Sequence, residues 1–400
     1  MNILYLTSEY KDDSIGKDDP FTYISNSFCK KWITLGHNVV VIHNSSLFFK
    51  IIYFLPKFIK KFFERRIGYT WGGYNSVCKK HYNDKGVNVY REPIKKIIPH
   101  SSPSKRIISR QVKIIRQILF DISFNPDVII GQWGSPQTEI ISNLKKYYSC
   151  PTSVVFHGYR YINRNNNFLN SLQKIDKIGA RSKSQSIYIK EYLKLTNEPF
   201  VCYSGVPDSY LDSYKLNLKK FDNIKKWRFA FVGRLVDYKK ADIVIKSLAK
   251  LSCVDWELSV VGEGAQLHDL VELSKSLGCA GKIRFYGKIS RDEVMEILSM
   301  SHCFIMASVG EVFGLVYLEA MGASCLTVAS RNGGIDGVIE NDVNGFLIGE
   351  GDEAELYNLL QEMVTSNVEN LKKIASNGFD TANKFSETQV AIDFLEKSIN

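Results

Sequence analysis

Residues 229–239 read Phe-Ala-Phe-Val-Gly-Arg-Leu-Val-Asp-Tyr-Lys, an apolar run that ends in a Gly-Arg pair, with a lysine five residues after the arginine. The run predicts a buried strand. Ligands of open α/β sheets bind beyond the carboxyl ends of the strands, so we expect Arg234 and Lys239 to lie at such an edge. A guanidinium fork and an ammonium group suit a diphosphate. Alone, a Gly-Arg pair after a strand is weak evidence for a binding site, because such cations more often lie on the surface without a ligand. Other residues must show whether a phosphate site is present.

Similar apolar runs alternate with amphipathic stretches of helix length along the whole chain, which is typical of βαβ units with parallel sheets. The segment 203–208 and the lysine-rich residues up to Lys226 predict a linker, after which the pattern restarts. We therefore expect an α/β chain with two sheets, divided near residue 205. Nine runs predict strands: Ile3–Leu6, Val39–His43, Val128–Gly131, Ser153–Phe156, Phe229–Gly233, Trp256–Gly262, Ile283–Tyr286, Cys303–Ala307 and Leu326–Ala329.

Length and composition describe an ordinary globular chain, because 400 residues with 44% hydrophobic content can bury two or three domain cores. The eight cysteines are scattered, without a C-x-x-C pair or a cluster with zinc-like spacing. Reduced thiols in a cytosolic protein and no metal site are therefore expected. The segment 1–7 lacks a basic n-region and predicts a first buried strand, so the chain is expected to stay in the cytoplasm.

The positive charge is concentrated in one region. Of the net charge of +10, residues 50–116 contribute +14, with 17 Lys and Arg against three acidic residues, and the remaining residues contribute −4. A localised basic surface indicates an anionic partner such as nucleic acid, an anionic membrane or a phosphorylated substrate. Because no recognised nucleic-acid-binding motif occurs, nucleic acid is the weakest of the three.

Residues 47–66 have extreme apolar and basic content, and as a helix they would carry one apolar and one charged stripe. Pro56 would kink this helix. A membrane span needs about 20 nearly uncharged residues, which this segment lacks. We expect an interfacial helix on an anionic membrane surface, with the basic residues 105–116 adding to the same field. The alternative is a core-packed helix with a solvated basic face.

Residues 311–321, Glu-Val-Phe-Gly-Leu-Val-Tyr-Leu-Glu-Ala-Met, follow a predicted strand and open a helix. Free N–H groups and the dipole at a helix start near residues 313–315 would form an anion site. Glu311 would precede this helix and Glu319 would lie in its second turn. Two carboxylates flanking an anion suit the hydroxyls of a sugar and of a ribose. Stabilisation of the helix dipole could account for Glu311, but not for Glu319 in so apolar a helix.

These motifs, together with Asn332-Gly-Gly-Ile335, resemble glycosyltransferase family 4, the large retaining family of the GT-B fold. The resemblance covers nearly the whole chain, including residues 36–41, 125–130 and 384–387. It implies an N-terminal Rossmann-like acceptor-binding domain (residues 1–205) that faces a nucleotide-sugar-binding domain (residues 206–380) across a cleft. A C-terminal helix (residues 381–400) would cross back to the first domain.

The resemblance also implies roles for single residues. Arg234 and Lys239, after Gly233, would neutralise the donor diphosphate as it leaves, so no metal or other cofactor is required. Glu311 would bind hydroxyls of the donor sugar and Glu319 those of the ribose. The remaining donor-binding positions act through the backbone. These are the amides of Phe313, Gly314 and Leu315 at the phosphates and sugar, Gly287 and Ile289 at the base, and Gly16 at the β-phosphate.

Two departures from the family pattern affect the predicted donor-binding residues. The loop around Gly16 reads Ser14-Ile-Gly-Lys-Asp-Asp, where the family usually has a glycine pair, so the match of Gly16 is less secure. Lys240 stands where a glycine usually follows the lysine, which we expect to alter the start of the next helix.

His157 directly follows the predicted strand Ser153–Phe156. A lone histidine at a strand end is more often structural, but the resemblance implies that it lies beside the reacting sugar, in a catalytic or orienting role. In this retaining chemistry the acceptor attacks from the face that the leaving phosphate vacates, and the phosphate can take the proton. The enzyme then supplies orientation and charge stabilisation.

The sequence thus predicts transfer of a sugar from a UDP- or GDP-linked donor to a lipid-linked or oligosaccharide acceptor, at the inner face of the cytoplasmic membrane. Synthesis of a bacterial surface polysaccharide is the expected setting, and a monomer is adequate. The alternatives are a GT-B nucleotide-sugar epimerase, which needs no acceptor, and a catalytically silent membrane-binding scaffold. A dinucleotide-dependent oxidoreductase would need G-x-G-x-x-G after the first strand, whereas Gly262-Glu-Gly264 lies elsewhere.

Overall fold

The computed structural model describes residues 1–14, 24–56, 59, 73–96, 103–158, 162, 164–213 and 216–400. The chain forms two compact units. The N-terminal unit comprises Met1–Arg181, Ser186–Cys202 and Ala391–Asn400, and the C-terminal unit comprises Ser182–Gln185 and Tyr203–Val390.

The N-terminal unit contains an eight-stranded sheet in the order β10-β9-β8-β7-β1-β2-β5-β4, parallel except for the pair β4 and β5. Strands β3 and β6 form a separate two-stranded sheet. The elements up to the unit boundary are β1 (Asn2–Thr7), α1 (Ile24–Thr34), β2 (Asn38–His43), β3 (Ser46–Leu47), α2 (Lys50–Tyr53), α3 (Tyr74–Val77), β4 (Lys80–Asp84), β5 (Val87–Arg91), β6 (Ile94–Lys95), α4 (Lys105–Asp121), β7 (Val128–Gln132), α5 (Gln137–Leu144), β8 (Thr152–Phe156), α6 (Asn166–Leu172), β9 (Lys177–Ala180), α7 (Lys183–Leu193) and β10 (Phe200–Val201).

The C-terminal unit contains a six-stranded parallel sheet in the order β13-β12-β11-β14-β15-β16. This is the doubly wound order, in which the direction of strand addition reverses between β11 and β14, the first and the fourth strand of the unit along the chain. The elements are α8 (Asp208–Ser213), β11 (Trp227–Val232), α9 (Ala241–Ala249), β12 (Trp256–Val261), α10 (Leu267–Ser276), β13 (Ile283–Gly287), α11 (Arg291–Met300), β14 (Cys303–Ile305), α12 (Leu315–Gly322), β15 (Leu326–Ser330), β16 (Phe346–Ile348), α13 (Glu353–Thr365), α14 (Val368–Asn383) and α15 (Glu387–Ile399).

All nine predicted strands are present, each within two residues of its expected ends. Their apolar runs are continuous because helices cover both faces of a parallel sheet, and every residue of β7, β8 and β15 is buried. The strand prediction is confirmed.

The final helix, α15, leads the chain back into the N-terminal unit at Ala391. Trp32 of α1 donates its indole N–H to the carbonyl of Ala391 at 2.8 Å, and Phe394 packs edge-on against Phe28 at 5.0 Å between ring centroids. The units divide at residues 202 and 390, where the sequence placed the divisions at 205 and 380.

The predicted continuous helix over residues 47–66 is wrong in its described part. Leu47 belongs to β3, and α2 spans only Lys50–Tyr53. The chain leaves the helix before Pro56, which cannot donate a backbone hydrogen bond and disfavours helical geometry in the preceding residue. Phe48 and Ile51 would share the apolar stripe of the predicted helix, but Phe48 is buried and Ile51 is exposed. Residues 57, 58 and 60–66 lie outside the described residues.

Candidate active site

The C-terminal ends of β11 and β14 meet where the C-terminal unit's sheet changes direction, and they bring together two sequence motifs. Strand β11 pairs with β14 in parallel register, so the segments that follow both strands leave the same edge of the sheet. A single 3₁₀ turn, Asp237–Lys239, carries Lys239 back towards this edge. This is the position at which doubly wound sheets bind ligands.

Lys239 forms an ion pair with Glu311 through Nζ and Oε2. Their side chains are only 12% and 14% exposed, so the pair is partly shielded from water and stronger than a surface pair. The Lys239 ammonium also lies 3.5 Å from Sδ of Met306. The structure therefore brings together two of the predicted site residues.

Arg234 lies at the same strand end, directly after Gly233, and its side chain is exposed. Its Nη2 donates to the hydroxyl of Tyr238, and the guanidinium lies 5.8 Å from the centroid of that ring. Lys239 lies at the same distance from the Tyr238 ring. Tyr238 thus contacts both predicted phosphate-binding cations, a role that the sequence reasoning missed.

Lys240, where a glycine was expected, adopts a left-handed conformation with φ of 55°. Such a backbone is the reason why a glycine suits this position. The helix α9 nevertheless begins at the next residue, so the substitution does not displace its start.

The start of α12 lies where the sequence predicts an anion site, and its geometry requires a glycine. Gly314 precedes the helix with φ of 77°, and a Cβ there would lie 2.5 Å from the ring of Tyr317. Tyr317 is fixed in turn, since its hydroxyl donates to the carbonyl of Met306 at 2.9 Å. Only glycine therefore fits at position 314.

The loop Asn332-Gly-Gly-Ile335 packs directly on this helix start. A Cβ on Gly334 would lie 2.2 Å from the amide nitrogen of Phe313. The amides of Phe313, Gly314 and Leu315 donate no hydrogen bond to any described residue. Three N–H groups at the positive end of a helix can therefore bind an anion such as a phosphate.

Glu319 is buried in α12 and forms an ion pair with Arg291, the first residue of α11, through Oε1 and Nη2. Gly287 ends β13 with φ of 67°, and its carbonyl accepts from the amide of Gly262 at 2.8 Å. Ile289 packs against the core of this unit. The sequence did not indicate the contact between Glu319 and Arg291.

His157 lies in the N-terminal unit, directly after β8. Its Nε2 lies 2.7 Å from Oε1 of Gln132. Because an amide oxygen only accepts, Nε2 carries the proton and Nδ1 is an acceptor. Burial, with the charge of Arg181 as a smaller cause, holds the pKa of His157 well below its usual value. The imidazole is therefore neutral at pH 7.

Two residues that the sequence reasoning missed surround His157. The ring of Trp133 stacks on the imidazole with 3.7 Å between centroids. Trp133 has φ of 75°, a conformation that is costly for a bulky residue. The indole N–H of Trp133 and the side-chain amide nitrogen of Gln132 are buried without a partner among the described residues. Both donors are thus available to oxygen atoms of a ligand.

The structure does not test the remaining predictions on the site. Gly16 lies outside the described residues. Within the ranges that the structure describes, no three His, Cys, Asp or Glu side chains are grouped so that they could hold a metal ion. None of the helices in those ranges combines the length and apolarity needed to cross a membrane.

Residues 215–381, which include most of the C-terminal unit, match the family model for glycosyl transferases group 1. The chain is therefore similar to the group 1 glycosyl transferases over the stretch that carries Arg234, Lys239, Glu311 and Glu319. It is 27% identical over 316 residues to an uncharacterized glycosyltransferase, MJ1178, of Methanocaldococcus jannaschii, a match that covers 76% of this chain and 84% of that protein. Over 167 residues it is 27% identical to the lipopolysaccharide core biosynthesis glycosyltransferase LpsE of Rhizobium meliloti, covering 41% of this chain and 47% of LpsE.

The chain is also similar in fold to Anabaena HepE, solved in complex with UDP. The TM-score is 0.68 at 16% identity, with 99% of each chain covered. A glycosyltransferase structure from Rickettsia africae gives a TM-score of 0.69 at 18% identity, covering 99% of this chain and 97% of that one. These likenesses and the two parallel sheets confirm the predicted GT-B fold with two Rossmann-like halves.

Proposed function

We propose that the chain is a glycosyl transferase that moves a sugar, with retention of configuration, from a UDP- or GDP-linked donor to a lipid-linked or membrane-proximal glycan. The observation that carries the proposal is the edge of the C-terminal sheet, where the ion pair of Lys239 and Glu311 adjoins the unpartnered amides of residues 313–315. Cations and amides suit a diphosphate, and a carboxylate suits sugar hydroxyls.

The leaving group in this reaction is a nucleoside diphosphate, whose negative charge grows as the glycosidic bond breaks. Arg234 and Lys239 are fixed positive charges at the sheet edge, and the helix dipole of α12 adds to them. We propose that these groups stabilise the leaving diphosphate without a metal ion. Glu311 then orients the donor sugar, and its contact with Lys239 holds the carboxylate in place.

The N-terminal unit supports an acceptor at a membrane surface. Phe49, Ile51 and Phe54 are 61%, 73% and 76% exposed, beside the cationic residue Lys50. Helix α4 presents five exposed cations, Lys105, Arg106, Arg110, Lys113 and Arg116, and its Phe120 is 80% exposed. Exposed aromatic side chains among cations are typical of proteins that bind anionic membranes peripherally. LpsE, by its name, acts in lipopolysaccharide core synthesis, which agrees with a glycan acceptor on a lipid.

The test is sugar transfer by the purified protein in EDTA, with a panel of radiolabelled nucleotide sugars and a lipid-linked acceptor extract. Wild type is compared with Glu311→Gln and Arg234→Met, and the exposed Glu257→Gln serves as the matched control. Label that enters lipid from one donor, and is lost in the first two variants, supports the proposal. Alteration or cleavage of a donor at the same rate without acceptor would indicate an epimerase or hydrolase instead.

A further inference from the structure

Arg291 occupies an electrostatically unfavourable position at the start of a helix. It is the first residue of α11, whose N-terminus is closed by a capping box between Ser290 and Glu293. The positive end of a helix dipole repels a cation and attracts acidic residues, and the next two residues, Asp292 and Glu293, are acidic. The cap and the acidic residues explain the helix start, but they do not explain the arginine.

The guanidinium of Arg291 is held between an aromatic ring and a buried carboxylate. It lies 5.0 Å from the ring centroid of Tyr210, whose hydroxyl donates to Oδ1 of Asp292 at 2.9 Å. It also pairs with Oε1 of Glu319. The Glu319 side chain is 9% exposed, so its charge would be costly to bury without such a partner.

Glu319 lies about one helical turn after Leu315, the first residue of α12. The unpartnered amides at this helix start lie at the sheet edge that the diphosphate is proposed to occupy. The contact with Arg291 uses Oε1, which leaves Oε2 for a ligand. A carboxylate fixed on one side by a planar fork has a defined direction for its second oxygen, which can accept from the hydroxyls of a vicinal diol.

We propose that Arg291 is a positioning residue that orients Glu319 towards the ribose diol of the nucleotide and so determines the preference for ribose over 2′-deoxyribose. This inference rests on the proposed function, because it requires a nucleoside diphosphate at the edge of β11 and β14. Arg291 acts through Glu319 by holding the direction of its carboxylate. Tyr210 supports the arginine by packing against the guanidinium.

The experiment is calorimetric binding of UDP and 2′-deoxy-UDP, with GDP and 2′-deoxy-GDP as a second pair, to wild type, Arg291→Met and Arg291→Lys. Arg284→Met is the matched control, because Arg284 is an exposed arginine of the same unit whose guanidinium lies 4.6 Å from the Tyr286 ring centroid. The ratio of the deoxyribose Kd to the ribose Kd is the measured quantity.

A hydrogen bond to a charged group corresponds to about a 10- to 100-fold ratio in wild type. We expect Arg291→Met to reduce the ratio to within about threefold of unity, Arg291→Lys to restore part of it and Arg284→Met to keep it. A purely structural arginine would weaken both ligands equally and leave the ratio unchanged, which overturns the inference. A wild type that binds UDP and 2′-deoxy-UDP equally also overturns it, and the proposed function survives. Failure of wild type to bind any of the four nucleotides rejects both.

Discussion

Lys239 and Glu311 are 72 residues apart in the sequence, and their side chains form a partly buried ion pair. One follows β11 and the other follows β14, the two strands between which the C-terminal sheet changes direction. The sequence assigned them separate tasks, one at the diphosphate and one at the sugar. Their contact means that each helps to fix the position of the other, and that both belong to a single site.

The strength of this pair can be measured by a double-mutant cycle with Lys239→Met and Glu311→Gln. Each single variant leaves a shielded polar group without its partner, and we expect each to lower the free energy of unfolding by about 1–3 kcal/mol. The double variant should lose less than the sum, with a coupling of about 0.5–3 kcal/mol in urea unfolding.

The exposed pair Lys275 and Glu272 is the matched control, since its side chains are 60% and 55% exposed. Its coupling should stay below about 0.5 kcal/mol. Equal coupling in both pairs would contradict the shielded character of the pair at the site.

Gly314→Ala should disrupt the start of α12, because the added Cβ meets the fixed Tyr317 ring at 2.5 Å. We expect nucleotide affinity to fall at least about tenfold as the amides of residues 313–315 move. Gly278→Ala separates this effect from backbone strain, since Gly278 has a similar φ of 68° with nothing within 4 Å of the added carbon. Calorimetry with UDP should show wild-type affinity for Gly278→Ala, and a similar loss in both variants would disprove the steric argument.

His302 should make stability depend on pH. Its Nδ1 accepts from the amide of Arg228 at 2.9 Å, and burial, followed by the charge of Arg228, lowers the pKa of His302 to about 4. Between pH 6.5 and 4 the unfolded chain binds a proton that the folded imidazole does not. The free energy of unfolding therefore falls with decreasing pH, by up to about 1.4 kcal/mol per pH unit from this group.

His302→Gln should reduce that slope in urea unfolding measured between pH 4.5 and 6.5, and part of the slope should remain because the folded protein also keeps His157 neutral. The matched variant His268→Gln replaces a histidine that is 85% exposed and should keep the wild-type slope. An unchanged slope in His302→Gln would show that His302 does not remain neutral in the folded protein.

The exposed apolar residues 49, 51 and 54 should govern membrane binding. Replacing Phe49, Ile51 and Phe54 together by serine removes apolar surface that can enter the headgroup region. We expect at least about a tenfold loss of binding to vesicles that contain phosphatidylglycerol, measured by sedimentation. Met300→Ser, at a residue 57% exposed in the C-terminal unit, should bind as wild type does. Equal binding of the triple variant would exclude these residues from the interface.

The sequence predicted most of the architecture and part of the site for one physical reason. Apolar runs mark buried parallel strands, and residues after such strands share an edge, so Arg234, Lys239 and Glu311 could be assigned to one place. In the described part of residues 47–66 the continuous helix was mispredicted, because a kink was expected at Pro56 whereas the helix already ends at Tyr53, and because periodicity does not reveal the pairing of β3 with β6. The contacts of Gln132 with His157 and of Arg291 with Glu319 join segments that are distant in the sequence. Local sequence patterns therefore cannot predict them.

We propose that Arg234 and Lys239 bind the diphosphate of a nucleotide donor without a metal ion. Calorimetric binding of UDP and GDP in EDTA should be compared between wild type, Arg234→Met, Lys239→Met and the exposed control Lys250→Met. We expect wild type and the control to bind one of these nucleotides, and both site variants to bind it at least about tenfold more weakly. Equal affinity in all four proteins, or binding by wild type only when a divalent cation is added, would refute the metal-free role of the two cations.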